Sequence, residues 1–222
     1  MKFTLGVRLR AEFIGTAFLV AAVVGSGVMG ERLAGGNVAV ALLANTIATG
    51  AALVALIATF GSISGGHFNP VVSLVEAVNG GLSWRDAAAY VWVQTVGGIV
   101  GAVAAHLMFG LSVFSVSHHD RHGWPIVLSE FVATFGLLIV IAGCSRFRSS
   151  AVPFAVAAYI TAAYWFTAST SFANPAVTIA RSLSDTFAGI RPVDVPLFLI
   201  AQVAGGLAAT LVFRRIEPVD EA

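Results

Sequence analysis

Two short stretches decide the fold of this chain: Ser64-Gly65-Gly66-His67-Phe68-Asn69-Pro70-Val71 and Asn174-Pro175-Ala176. Asparagine is a good N-cap and proline suits the first helical position, so each Asn-Pro pair marks the start of a helix. The apolar segments that these pairs open, 70–78 and 175–183, are each about nine residues long, whereas a membrane-spanning helix needs about 20. The pairs therefore predict two half-helices that are too short to cross a bilayer.

The composition around these stretches indicates an integral membrane protein. Of the 222 residues, 58% are hydrophobic and 10% are charged, whereas an ordinary soluble domain carries roughly 25% charged residues. The mean hydropathy is +0.90. These values exclude a soluble globular enzyme and a disordered chain. The net charge of +1 gives no electrostatic basis for binding a nucleic acid. We therefore predict a membrane protein that is not an enzyme and has no nucleic-acid partner.

Six longer apolar stretches are long enough, or nearly so, to cross a bilayer as helices. They are 11–29, 38–60, 87–110, 130–144, 151–167 and 195–213. The first one superficially resembles a signal peptide, but it has a counterpart later in the chain, which favours a retained span. The predicted fold is an all-α membrane protein with six transmembrane helices and two re-entrant half-helices.

The two halves of the chain repeat each other in the same order. Three pairs of segments match: 11–16 with 129–134, 68–73 with 173–178, and 94–98 with 202–206. Each copy holds three spans and one half-span. Because three is odd, the second copy must cross the membrane in the opposite sense, which gives an inverted repeat. We predict one membrane domain over 1–222, with internal repeats at about 8–110 and 126–215.

The distribution of basic residues predicts the orientation. If both termini are cytoplasmic, eight basic residues lie inside and four outside, in accord with the positive-inside rule. The eight are Lys2, Arg8, Arg10, Arg85, Arg146, Arg148, Arg214 and Arg215, and the four are Arg32, Arg121, Arg181 and Arg191. We expect a multi-pass protein of the cell (inner) membrane. The longest exterior loop, 111–125, is rich in histidine, and there we expect a solvated surface rather than a metal site.

The backbone that precedes each half-helix indicates what can pass through the protein. Non-helical backbone at membrane depth is tolerated only where protein buries it or water lines it, and we expect such backbone at 61–68 and 168–173. Its free carbonyls need donors, which water or a hydroxylated solute supplies. The half-helices then meet at their N-termini, and two facing positive helix ends oppose cations and protons. Asn69 and Asn174 each add an amide donor there.

These residues resemble the major intrinsic protein family, the aquaporins and aquaglyceroporins. The resemblance rests on the two Asn-Pro stretches, the paired Glu-x-x-x-Thr starts at Glu12 and Glu130, and two Gln-x-x-Gly-Gly helices, and it covers about 11–213. It implies a six-helix bundle with one pore per protomer, assembled as a homotetramer; we also expect no cofactor and no metal. It implies a pore centre formed by Asn69, Pro70, Val71, Asn174, Pro175 and Ala176, and pore-lining loop backbone at Gly65, Gly66, His67, Phe172 and Ala173.

Two departures from the family pattern concern the permeant. The family's two Asn-Pro-Ala motifs, which we call the two boxes, read Asn69-Pro70-Val71 and Asn174-Pro175-Ala176 here, so Val71 replaces the usual Ala of the first box. Val177 directly follows the second box, where the family usually has an Arg that narrows the outer constriction. Spacing from the asparagines adds Thr49, Ala162 and Ser171 to that constriction. All four constriction residues are small or uncharged, so we expect a wide filter without a fixed cation. The departures resemble bacterial aquaglyceroporins associated with arsenic resistance.

Four charged residues leave alternatives open. Arg181 and Glu76 each follow the asparagine of their half by seven residues. Arg181 either covers the outer mouth or lies at the membrane interface and pairs with Asp185, while Glu76 either faces the pore at the cytoplasmic mouth or faces away. Glu12 and Glu130 lie inside spans, where a carboxylate suggests function. We expect them to brace the re-entrant loops through hydrogen bonds rather than to relay protons.

The predicted function is a passive transmembrane channel for small uncharged solutes that excludes protons and ions. The solutes are glycerol-like polyols, water, and neutral metalloid hydroxides such as arsenous acid. One alternative is a mainly water-selective aquaporin, and another is an ion-coupled secondary transporter.

Overall fold

The computed structural model describes residues 3–216, which contain eight α-helices, two short 3₁₀ turns and no strand. The helices are α1 (Leu5–Leu33), α2 (Val38–Ser64), α3 (Pro70–Val78), α4 (Trp84–Met108), α5 (Trp124–Phe147), α6 (Val152–Phe166), α7 (Pro175–Arg181) and α8 (Val195–Ile216). The prediction of an all-α fold is confirmed.

Six segments of the described chain are long and apolar enough to cross a membrane, as predicted. They contain α1, α2, α4, α5, α6 and α8, and α6 reaches this length together with the 3₁₀ turn Ser149–Ala151. The two remaining helices, α3 and α7, have nine and seven residues; α3 spans the predicted 70–78, whereas α7 ends at Arg181, two residues before the predicted end at 183. The orientation prediction counts Lys2 and concerns the chain ends, which lie outside the described residues.

The first re-entrant loop is shorter than predicted. We expected non-helical backbone over 61–68, but α2 continues to Ser64. Nothing in the sequence breaks this helix before Gly65, whose left-handed φ of 95° caps it, a conformation that glycine adopts at little cost. In the second half, α6 ends at Phe166 and α7 begins at Pro175, so the predicted loop 168–173 is non-helical.

Small residues let the long helices of each half pack closely. A methyl group at Gly97 of α4 would lie 2.5 Å from the carbonyl oxygen of Phe13 in α1, and one at Gly205 of α8 would lie 2.5 Å from that of Phe131 in α5. Small side chains at membrane-helix interfaces allow such backbone approach. The pairs α1–α4 and α5–α8 thus form equivalent frameworks that hold α3 and α7.

Candidate functional site: a lined passage with two different ends

The half-helices meet at their N-termini, and the two asparagines join them. The Oδ1 atom of Asn69 accepts a hydrogen bond from the backbone N–H of Val71 at 3.0 Å, and Oδ1 of Asn174 accepts one from Ala176 at 3.0 Å. Each amide nitrogen then reaches across to the other half. Asn69 Nδ2 donates to the carbonyl of Ala173 at 2.7 Å, and Asn174 Nδ2 donates to that of Phe68 at 2.8 Å. Each cap therefore also ties the two halves together.

Glu12 holds the loop of the first half. Its carboxylate is fully buried and accepts hydrogen bonds from the backbone N–H groups of His67 and Phe68, at 3.0 and 2.7 Å. It also accepts from Ser64 Oγ at 2.6 Å and from Gln94 Nε2 at 2.8 Å. Four donors leave this carboxylate no role as a free acid or base.

Glu130 makes the equivalent contacts in the second half. It accepts from the backbone N–H groups of Phe172 and Ala173, both at 2.9 Å, and from Gln202 Nε2 at 2.6 Å. Among the described residues, both intramembrane carboxylates thus bond to the loop backbone that precedes an asparagine.

The loops present unpaired carbonyl groups. The left-handed φ angles of Phe68 (46°) and Ala173 (48°) turn the chain just before each half-helix. The carbonyls of 65–67 and of 170–172 accept no hydrogen bond from any of residues 3–216. Polar groups buried without partners are costly. Both runs therefore need donors that the described protein does not supply.

A cavity of about 300 Å³ runs along both loops and past both asparagines. Its lining includes most of the predicted pore residues: Gly65, Gly66, His67, Asn69, Phe172, Ala173 and Asn174. The other four members of the predicted pore centre, Pro70, Val71, Pro175 and Ala176, are buried and do not line it. Their placement in the pore is corrected, because a helix turns successive side chains to different faces. Only the asparagines of the two boxes line the cavity.

Val71 packs between the halves of the molecule. It is fully buried, and a methyl group at Gly206 of α8 would overlap its Cγ1. In the other half, a methyl group at Gly98 would lie 3.1 Å from the carbonyl oxygen of Ala176. The larger side chain of the first box is thus accommodated by a glycine, and it does not widen the cavity.

We call one end of the cavity the arginine end; it is lined by Thr49, Tyr164, Ser171, Val177 and Arg181. Three of the four predicted constriction residues lie here. The fourth is wrong: Ala162 is exposed on α6, and Tyr164, two residues further on, lies in the lining. Two positions on a helix differ by about 200°, so they face opposite sides. The constriction residue lies ten residues before Asn174 rather than twelve.

Arg181 also corrects the expectation of a filter without a cation. Its side chain is 98% buried, lines the cavity, and donates from Nε to the carbonyl of Ala188. Its guanidinium carbon lies 3.3 Å from the centre of the Phe172 ring. The alternative pairing with Asp185 is wrong, because that carboxylate instead accepts from His118 N at 2.9 Å and contacts His118 Nδ1 at 3.1 Å.

Sequence reasoning missed Arg121, which comes from the loop between α4 and α5. Its Nε donates to the carbonyl of Gly189 at 2.7 Å and its Nη1 to that of Ser169 at 3.2 Å. Its guanidinium carbon lies 4.9 Å from the centre of the Phe172 ring. Burial lowers the pKa of Arg121 to about 10, so it stays charged at neutral pH. A loop residue has no periodicity, and only its basic character marked it in the sequence.

The opposite end, which we call the glutamate end, is lined by Glu76 and His67. Glu76 is exposed. The His67 ring is held by a 3.0 Å hydrogen bond between Nδ1 and Ser73 Oγ and by the Tyr90 ring, 5.5 Å away. The two ends thus carry opposite charges in different surroundings.

The histidine-rich loop makes contacts among its own acidic and basic side chains and with those of the loop before α8. Within residues 3–216 no group of three His, Cys, Asp or Glu side chains is placed to hold a metal ion. Asp120 contacts both His122 and Arg191, and Arg191 also pairs with Asp194.

Six membrane-length helices, two opposed half-helices and a lined passage between them define a membrane channel protein rather than an enzyme. The chain belongs to the major intrinsic protein family, whose model matches residues 5–146. It is 54% identical over 213 residues to the aquaglyceroporin AqpS of Rhizobium meliloti (strain 1021), an alignment that covers 96% of this chain and 91% of that protein. It is 27% identical to nodulin-26 of Glycine max, over 96% of this chain and 79% of that one.

A solved structure shows the same fold at low sequence identity. The X-ray structure of the aquaglyceroporin from Plasmodium falciparum superposes with a TM-score of 0.75 at 17% identity. The match covers 96% of this chain and 97% of the other.

Proposed function

We propose that this chain is a passive channel for small uncharged solutes, among them glycerol and related polyols, neutral metalloid hydroxides and water. The observation that carries the proposal is the pair of loops whose carbonyls at 65–67 and 170–172 accept nothing from residues 3–216. A hydroxylated solute donates to such carbonyls. It accepts in turn from the second N–H of Asn69 and Asn174, since each amide gives only one to protein. A chain of hydroxyl groups matches this alternation of acceptors and donors.

The same geometry opposes the passage of cations and protons. Each helix N-terminus behaves like roughly half a positive charge, and the N-termini of α3 and α7 face one another at the asparagines. An ion-coupled transporter would need a coupling site at this point. Glu12 and Glu130 do not provide one, because backbone and glutamine donors already occupy their oxygens.

Neutral metalloid hydroxides such as arsenous acid belong to the same proposal, because they carry several hydroxyl groups on a compact centre. The name of the Rhizobium relative, an aquaglyceroporin, supports solutes larger than water. The second candidate is a mainly water-selective channel, which one observation favours: Tyr164, rather than Ala162, stands at the arginine end.

We further propose that residues 1–222 form one channel domain with inverted repeats at about 8–110 and 126–215. The chain would lie in the cell (inner) membrane with both ends in the cytoplasm, which places the arginine end outside. Exposed aromatic side chains such as Phe18 and Trp92 suit contact with lipid or with other copies, and we propose a homotetramer. In this arrangement Glu12 and Glu130 brace the loops, and Arg181 and Glu76 stand at the two mouths.

The test is stopped-flow light scattering on proteoliposomes that hold the full-length protein, with separate measurements of water, glycerol and arsenous acid. Val177→Arg puts a second cation one helical turn from Arg181, and Val177→Leu is the uncharged control. Solute flux through the wild-type protein should need no ion gradient. In Val177→Arg the solute flux should fall roughly tenfold, which corresponds to a permeation barrier about 1.4 kcal/mol higher, while water flux persists. If wild-type vesicles pass water alone, the water-selective candidate replaces the proposal.

A further inference from the structure

Arg181 has donors that the described protein leaves unused. Its Nε donates to the carbonyl of Ala188, but neither terminal NH₂ group has an acceptor within residues 3–216. The side chain is nevertheless 98% buried and lines the cavity. A buried guanidinium with unused N–H groups is unfavourable unless something in the cavity accepts from it.

Ser171 supplies an independent observation at the same place. Its side chain is also 98% buried and lines the same cavity. Its Oγ has no hydrogen-bond partner among the described residues. Buried hydroxyl groups usually have a partner, so the Ser171 hydroxyl keeps a hydrogen-bonding capacity at the cavity wall that the described residues do not use. Tyr164 and Thr49, whose hydroxyls lie 3.3 Å apart, complete the polar side of this wall.

The local charge at this end is net positive, because two arginines outnumber the one buried carboxylate, Glu130, that interacts electrostatically with both. Arg121 and Arg181 both lie against the Phe172 ring, and no carboxylate within residues 3–216 forms a salt bridge with either. The nearby loop acids already have partners: Asp185 contacts His118, Asp120 contacts His122 and Arg191, and Asp194 contacts Arg191 and the backbone N–H of Arg121.

We infer that the arginine end is a binding site for a small monovalent oxyanion of the carboxylate type. Its two oxygens would accept in parallel from the terminal NH₂ groups of Arg181, a strong and geometrically selective arrangement. The Ser171 hydroxyl would donate a further hydrogen bond to one of those oxygens. Val177 supplies an apolar wall suited to a short alkyl group.

The bound anion would stay at this end. Beyond it, the unpaired carbonyl oxygens of 170–172 and 65–67 repel an anion, and the apolar side chains of Leu19, Leu53 and Ile160 in the wall offer it no partner. The anion is therefore a competitor of neutral solutes rather than a permeant. This inference does not depend on which neutral solute passes.

The test is saturation-transfer NMR on the purified full-length protein in detergent at neutral pH. Acetate is the probe, and acetamide, which has the same shape without the charge, is the control. Sodium chloride, whose anion cannot accept two parallel hydrogen bonds through a pair of oxygens, keeps the ionic strength constant. The variants are Arg181→Gln, Ser171→Ala and, as a matched loss of charge at an exposed position, Arg85→Gln.

Acetate should receive saturation from the wild-type protein and lose it by roughly fivefold in Arg181→Gln and two- to fivefold in Ser171→Ala. It should keep its saturation in Arg85→Gln, and acetamide should change little throughout. Equal acetate signals in wild type and Arg181→Gln, or none in wild type, would overturn the inference. If Arg181→Gln does not elute as folded protein, Ser171→Ala, which removes one oxygen atom, decides. Acetate binding without glycerol flux would contradict the channel proposal alone.

Discussion

The two halves of the molecule agree at its centre and differ at its ends. At the centre, Glu12 and Glu130 accept hydrogen bonds from the loop backbone in the same way. The amides of Asn69 and Asn174 each donate a hydrogen bond to a backbone carbonyl of the other half. At the ends, Arg181 is buried against an aromatic ring, while its counterpart in sequence, Glu76, is exposed. The duplicated centre fixes where donors and acceptors stand, and the divergent ends decide which molecules approach them.

The largest expected effect tests the agreement at the centre. Glu130→Ala removes the acceptor of two backbone N–H groups and of Gln202, and Glu12→Ala does the same in the first half. Breaking a buried network of this kind costs roughly 3–5 kcal/mol. After heating, both variants should leave less folded protein than wild type, as measured by size-exclusion chromatography. Glu130→Gln, which keeps one acceptor oxygen, should lose about half as much stability as Glu130→Ala. A large loss in one half only would show that the two braces are not equivalent.

The next effect tests the different packing of the two boxes. Gly206→Ala would force a methyl group into Val71, and overpacking of this kind costs about 1–3 kcal/mol. Gly98→Ala, the matched change in the other half, should cost less, because its nearest atom lies 3.1 Å away. The double variant Val71→Ala/Gly206→Ala should recover most of the lost stability in thermal unfolding. If the double variant is no more stable than Gly206→Ala, the two side chains are not coupled.

A smaller effect concerns pH at the loops beside the arginine end. Hydrogen bonds from the backbone and side chain of His118 hold the pKa of Asp185 below its ordinary value. This lowered pKa stabilises the folded protein above the unfolded-state pKa of Asp185, and the contribution disappears as the pH falls through the folded-state value. Asp185→Asn should therefore flatten the acid limb of melting temperature against pH, with no change near neutrality. If the acid limbs of wild type and Asp185→Asn are parallel, the contact between Asp185 and His118 does not contribute to the pH dependence of stability.

The smallest effect is expected at the glutamate end. Glu76 is exposed, so water and salt screen its charge. Glu76→Gln should change solute flux in proteoliposomes less than about twofold. A change as large as that of Val177→Arg would mean that both ends of the cavity control permeation.

Local chemistry made the centre predictable and the ends less so. Asn-Pro caps, span lengths and the repeated glutamates are short-range or duplicated signals, so α3, α7 and their asparagines could be assigned from sequence. The constriction residue on α6 depended on the length of one loop, and an error of two residues moved the assignment from Tyr164 to Ala162. Arg121 reaches the site only through the tertiary path of a loop, which no local pattern encodes.

The hydrogen bonds that join the two halves at the asparagines also have a consequence for biogenesis. The Asn69 amide needs the carbonyl of Ala173, and the carbonyl of Phe68 needs the Asn174 amide. Translation proceeds at roughly 5–20 residues per second, so a newly inserted first half waits several seconds without these partners. During that interval its re-entrant loop has to stay hydrated or be shielded by the insertion machinery. Maturation of the passage is thus a late event, completed only when the second half arrives in the bilayer.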